Sequence, residues 1–117
     1  MAIEADYKNL IVWQKAILLV TELYCATKVF PKEELFGLTS QMRRAAVSIP
    51  SNIAEGSRRL RGERVHFLRI AFGSATELET QLEIANRLNY LEKPESEKLT
   101  VLLVEVLKIL NKMIHYV

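Results

Sequence analysis

The chain has 117 residues, half of them apolar, with only four glycines and three prolines. This excludes a disordered polymer and an all-β fold, and it suits one domain, residues 1–117, around one hydrophobic core. The net charge is only +2, yet seven arginines stand against two glutamates between residues 40 and 70.

Four helical segments follow in chain order. The first spans residues 9–29, where Leu10, Trp13, Ile17, Val20, Tyr24 and Thr27 recur at three- and four-residue steps, the period of a helix. It stops at Phe30-Pro31, because proline disfavours α geometry in the residue before it. The second spans residues 38–59, with Leu38, Met42, Ala45, Ile49 and Ile53 as its core face. Pro50 stands inside it, depriving the Ala46 carbonyl of its donor, so a kink is expected there. Ser48, Ser51 and Asn52 can serve backbone groups around the proline. The third spans residues 63–89 on Leu68, Phe72, Ala75, Leu78, Leu82 and Ala85. The fourth begins near Lys93-Pro94 and runs to residue 116, with proline tolerated in its first turn. Short connections make neighbours antiparallel, so the expected architecture is all-α: an up-down-up-down four-helix bundle.

The fourth helix is apolar over more than the stripe of roughly 100° that a bundle core covers, which points to a subunit interface in a homo-oligomer. No stretch approaches the ~18 uncharged apolar residues of a membrane span. The first residues lack a cationic-then-apolar leader, and a lone Cys25 fits a reducing compartment. A cytoplasmic protein without membrane association is therefore expected.

Catalytic chemistry finds little support. Glu63-Arg-Val-His66 has the Glu-x-x-His spacing of di-iron bundles, but the second such motif is missing: Lys112 stands three residues before His115. Cys25 has no neighbouring cation to activate it and reads as a small core thiol. Ser48, Ser51 and Ser57 have no sequence-adjacent base. No metal, cofactor or enzymatic activity is expected.

Two constellations remain. If the second and third helices form a hairpin closed near Arg61, positions summing to about 122 face each other. Gln41 then lies near Gln81, Arg44 near Glu77 and Ser48 near Ser74. With Asn52 these form a structural polar seam, with Arg44–Glu77 as its ion pair. At the hairpin tip cluster Arg58, Arg59, Arg61 and Arg64; Arg43, on the second helix, joins them as a candidate cation. Guanidinium forks match phosphate geometry, and clustered cations release counterions from nucleic acid. Phe67 is the sole aromatic among them, so RNA or DNA backbone binding is indicated rather than base stacking. The plain alternative is a solvated basic helix end.

Several motifs in order, namely Leu10-Ile-Val-Trp-Gln-Lys-Ala16, Phe30-Pro31-x-x-Glu34-x-Phe36-Gly-Leu38-Thr-x-Gln41, Arg43-Arg-Ala-Ala-x-Ser48-Ile-Pro-Ser-Asn-Ile-Ala-Glu-Gly56 and Gly73-Ser74-x-x-Glu77-Leu-Glu-x-Gln81, resemble the four-helix-bundle family encoded in intervening sequences of bacterial 23S ribosomal RNA genes. The resemblance covers about residues 7–91. It implies a homopentamer, and similarity to the basic pentameric accessory protein of diversity-generating retroelements, which binds nucleic acid and partners a reverse transcriptase. It brings no catalytic assignment. The expected function is thus a non-enzymatic oligomer binding RNA or DNA through its arginine-rich tip. The alternative is a protein-interaction scaffold or accessory subunit of a nucleic-acid enzyme, without nucleic-acid affinity of its own.

Overall fold

The computed structural model describes residues 6–116. Its helices are α1 (Ile11–Thr27), α2 (Leu38–Ser57), α3 (Arg61–Arg87) and α4 (Lys93–His115), with short 3-10 turns at Asp6–Asn9 and Lys32–Glu34. Among the described residues there is no strand. Each helix packs on two others, α1 on α2 and α4, and α3 on α2 and α4. The four therefore surround one core. Contacts between α2 and α3 pair Ser48 with Ser74 and Gly56 with Phe67. Those between α1 and α4 pair Lys15 with Glu105 and Glu22 with Lys98. In both cases one helix is followed forwards while the other is followed backwards.

The core is built mainly of leucine and alanine, with Ile49 and Ile53 from α2. Leu19 and Leu23 of α1, Ile49 and Ile53 of α2, Leu68 and Leu78 of α3, and Leu99, Leu103 and Leu110 of α4 are all but inaccessible. Each such side chain contributes about 1.5–3 kcal/mol by leaving water. The expected faces of α2 and α3 are the buried ones, except that Leu38 and Phe72 are only half-buried. In α1 the buried stripe is Val12, Ala16, Leu19, Leu23 and Thr27; of the expected stripe Thr27 belongs to it, Leu10, Trp13 and Val20 pack half-buried against the core, and Tyr24 is exposed. This helix is apolar on several sides, so its period alone does not choose between stripes about 100° apart. Cys25 accordingly lies on the exposed side rather than in the core. Much of α4's apolar surface is absorbed within the chain: Leu107, Ile109, Met113 and Ile114 pack against the core, and Val101 is the large apolar residue left exposed.

Local chemistry sets the helix ends. α3 stops because Asn89 takes a left-handed φ of 60°; the Tyr90 N–H then donates to the Ala85 carbonyl and the Asn89 N–H to that of Asn86, a Schellman closure with asparagine in glycine's usual place. At the start of α2 the Glu34 carboxylate accepts from the Leu38 N–H at 3.2 Å and from the Tyr90 hydroxyl at 3.0 Å. One side chain thus caps α2 and ties it to the α3–α4 corner, where Tyr90 also meets Phe30 at 5.3 Å. α2 runs on through the buried Pro50. Beside it, Ser51 Oγ and Asn52 Nδ2 donate to the carbonyls of Val47 and Ser48.

Two outcomes follow. The hydrogen bond to Glu34 holds the Tyr90 phenol above its ordinary pKa, followed by desolvation and the charges of Glu34 and Glu33. Its stabilising contribution is fully present below the unfolded value near 10 and is lost as pH rises through the folded value. Tyr90→Phe should flatten the alkaline limb of a plot of thermal stability against pH, and an unchanged limb would contradict the tie. Separately, a Cβ at Gly56 would lie 3.0 Å from Phe67 Cβ and 3.2 Å from the Arg64 carbonyl oxygen, whereas one at Gly73 meets nothing. In urea denaturation Gly73→Ala should gain about 0.5–1 kcal/mol from helix propensity. Gly56→Leu should lose about 1–3 kcal/mol from overpacking.

Candidate nucleic-acid interface

α2 and α3 are joined by three residues, Arg58, Arg59 and Leu60. The N–H groups of Arg58 and Arg59 close back on the carbonyls of Glu55 and Gly56. Leu60 is extended, and its carbonyl accepts from the Arg64 N–H at 2.8 Å to start α3. A corner this short gathers Arg58, Arg59, Arg61 and Arg64 at one end of the bundle.

The four guanidinium groups are not equivalent. Arg59 is locally neutralised: it lies 3.0 Å from the Glu55 carboxylate and 3.9 Å from that of Glu63, over the Phe67 ring. Arg58 sits on the Tyr7 ring at 5.5 Å. Arg61 is exposed at the first position of α3. Arg64 is half-buried, with its Nε enclosed and without a hydrogen-bond partner; an unmet buried donor costs about 1–3 kcal/mol. Among the described residues Arg58, Arg61 and Arg64 have no carboxylate within 4.0 Å. Arg61 also opposes the α3 dipole, whose positive end lies at its N-terminus, a placement costing about 0.3–1 kcal/mol. Lys15–Glu105 at 2.6 Å and Lys98–Glu22 at 3.1 Å bridge α1 and α4; Arg44, Arg69, Lys108 and Lys112 are, like the corner arginines, in no ion pair among the described residues.

Behind the corner, α2, α3, α4 and the Asp6–Asn9 turn border a half-open cavity of about 270 Å³ with Arg64 in its wall. A larger concavity of about 480 Å³ lies at the other end of the bundle. There Cys25, Glu22, Glu92 and Glu95 line it and Lys98 is already held by Glu22; it does not join the arginines.

Arg43 does not belong to the cluster. Fifteen residues before Arg58 on one helix, it lies ~22 Å away along the axis. It donates to Thr27 Oγ1 at 3.0 Å and to the Tyr24 carbonyl at 3.4 Å, and stacks on Tyr24 at 4.6 Å. It therefore fastens the end of α1 to α2. The polar seam is present in part. Ser48 Oγ and Ser74 Oγ are 2.8 Å apart, and Asn52 Nδ2 donates to Ser48 Oγ at 3.0 Å. Gln81 is buried but donates along its own helix to Glu77 at 3.1 Å. Gln41 and Arg44 are exposed, and among the described residues Arg44 forms no ion pair with Glu77. A residue four positions from Ser48 is turned about 40° around the helix, enough for a long side chain to leave the seam for solvent. Tyr7, which carries Arg58, was outside the residues the sequence singled out; only its place just before the first helix pointed to it.

The sequence pattern of the family described as "23S rRNA-intervening sequence protein" matches residues 8–112. No curated protein matches the chain. Among solved structures, a protein with unknown function from the S23 ribosomal protein family of Bacteroides thetaiotaomicron shares the fold at a TM-score of 0.81. It is 24% identical, over 89% of this chain and 98% of that one.

The seam predicts a coupled serine pair. In a double-mutant cycle of Ser48→Ala and Ser74→Ala, stability should show an interaction of about 0.5–1.5 kcal/mol. Arg44→Glu should change stability by less than about 0.5 kcal/mol. A larger loss at Arg44 would mean that it has a partner in the fold.

Proposed function

The chain belongs to the 23S rRNA-intervening sequence protein family, and on that premise we propose that it is a non-enzymatic bundle protein that binds the backbone of RNA or DNA through its α2–α3 corner. The observation that carries this reading is the gathering at one end of Arg58, Arg61 and Arg64, none of them ion-paired among the described residues. Arg61 is the sharpest case, since α3 would be more stable without a cation in its first turn. The exposed N–H groups of that turn add donors that also favour an anion. Arginine forks on a short, rigid corner suit phosphate oxygens and carry no sequence information by themselves.

The homopentamer that the family resemblance implies belongs to the same reading. Leu35, Phe36 and Val47 are exposed beside Tyr24 in a shallow groove, and a second copy would remove them from water. Copies around an axis would repeat the arginine corner and strengthen its field. The same apolar groove supports a second reading, a cytoplasmic interaction scaffold or accessory subunit of a nucleic-acid enzyme such as a reverse transcriptase, without nucleic-acid affinity of its own.

A salt series separates the two. Affinity for an oligouridine should fall steeply with ionic strength, and the paired substitution Arg58→Gln with Arg61→Gln should reduce the slope of log affinity against log salt by about 1.4, two phosphate contacts on a single strand. Arg43→Gln should leave that slope unchanged. Absence of binding at low salt would leave only the scaffold reading.

A further inference from the structure

We propose that the cavity behind the α2–α3 corner is a binding pocket for one unstacked guanine base. The proposal rests on the backbone-binding reading for the strand that delivers the base, and extends it from phosphate to base.

The cavity's apolar lining is the half-buried Leu10 and Met113, backed by the core residues Ile53 and Leu68, which are themselves almost inaccessible. At about 270 Å³ it lies below the roughly 300–1,000 Å³ of sites for drug-sized ligands. That size suits a single flat ring system better than a whole nucleotide. One wall is Tyr7, whose ring is held edge-on to Trp13 at 5.4 Å and carries Arg58 at 5.5 Å. A fixed aromatic wall over an apolar floor is how proteins receive splayed-out bases.

The polar groups then choose among ligands. Arg64 and Asp6 line the same cavity, yet among the described residues they do not close on each other as an ion pair; the Arg64 Nε is itself closed off from solvent, so it is the half-buried terminal fork that would meet a ligand. A phosphate would suit Arg64 but would meet the carboxylate of Asp6. A ligand edge with acceptors beside donors satisfies both. Guanine has that edge: O6 and N7 accept from an arginine fork, and the adjacent N1–H and N2–H groups donate to a carboxylate. Uracil is smaller and lacks the paired donors. Arg58, seated on Tyr7, supplies a phosphate-binding group next to the base.

The test is calorimetric titration of the full chain with guanosine, which carries no phosphate, and in parallel with uridine and with ribose 5-phosphate. Trp13, the single tryptophan, touches Tyr7 and gives an independent fluorescence readout. Guanosine should bind saturably and shift the Trp13 emission, about tenfold more tightly than uridine, and ribose 5-phosphate should give no saturable signal. Asp6→Asn, at an exposed turn position, should weaken guanosine about tenfold with unchanged circular dichroism. An oligouridine carrying one guanosine should bind more tightly than plain oligouridine. No saturable guanosine signal, or equal binding of uridine or ribose 5-phosphate, overturns the pocket. If guanosine is silent while oligouridine binds with a steep salt dependence, the pocket falls and the backbone reading stands. If guanosine binds but no oligomer does, the pocket stands, its ligand is the free nucleoside, and the backbone reading falls.

Discussion

The rest of the structure depends on how closely α2 and α3 approach each other at Gly56. A Cβ there would meet Phe67 Cβ and the Arg64 carbonyl at 3.0–3.2 Å, so any side chain at this position would push the last turn of α2 and the first turns of α3 apart by a few tenths of an ångström. That contact is what permits a corner of three residues. The corner in turn brings four arginines to one end, and places Arg61 at the head of α3. Further along the same pair of helices, Ser48 and Ser74 share a hydrogen bond, and small alanines at positions 45, 46, 71 and 75 are buried between the layers. Close packing of small residues costs the pair some apolar burial, and the leucines and isoleucines around it make up the rest of the core.

Charge is handled differently at different places on this frame. Across α1 and α4 lysines meet glutamates, and along single helices Arg87–Glu83 and Arg59–Glu55 pair one turn apart. Exposed pairs of this kind contribute little to stability, but they leave little net field. At the α2–α3 corner three guanidinium groups have no carboxylate partner among the described residues. Arg43, by contrast, uses its charge inside the fold, on the Tyr24 carbonyl and ring at the end of α1, where the helix dipole favours a cation. The same residue type thus fastens α1 to α2 at Arg43 and, among the described residues, stays unpaired at Arg44 and at the α2–α3 corner.

Much of this was legible in the sequence. Helix boundaries read from apolar period, proline and glycine fall within two residues of those observed, because the chain is sparse in breakers and, apart from Pro50 and Gly73, each sits at or near a helix end. The hairpin register also held at Ser48 and Ser74, since a corner of known position leaves one antiparallel alignment. Side-chain direction was less legible. Arg44 leaves the seam, and Gln81 turns to Glu77 on its own helix, because register locates backbones rather than the reach of long polar side chains. The buried stripe of α1 was read only in part, at Thr27 and at the half-buried Leu10, Trp13 and Val20, because several of its faces are apolar. Tyr7, Glu34 and Tyr90 were missed because their contacts join loops to distant elements: Glu34 and Tyr90 are 56 residues apart, and no local pattern marks such a pair.

The central claim is that free charge at the α2–α3 corner, and not basicity in general, makes the binding surface. Nuclear magnetic resonance of the arginine Nε–Hε groups during titration with a single-stranded RNA tests this most directly. The account predicts that the signals of Arg58, Arg61 and Arg64 shift saturably, while those of Arg43 and Arg87 stay in place. Shifts spread evenly over all arginines, or confined to Arg43 and Arg44, would contradict it.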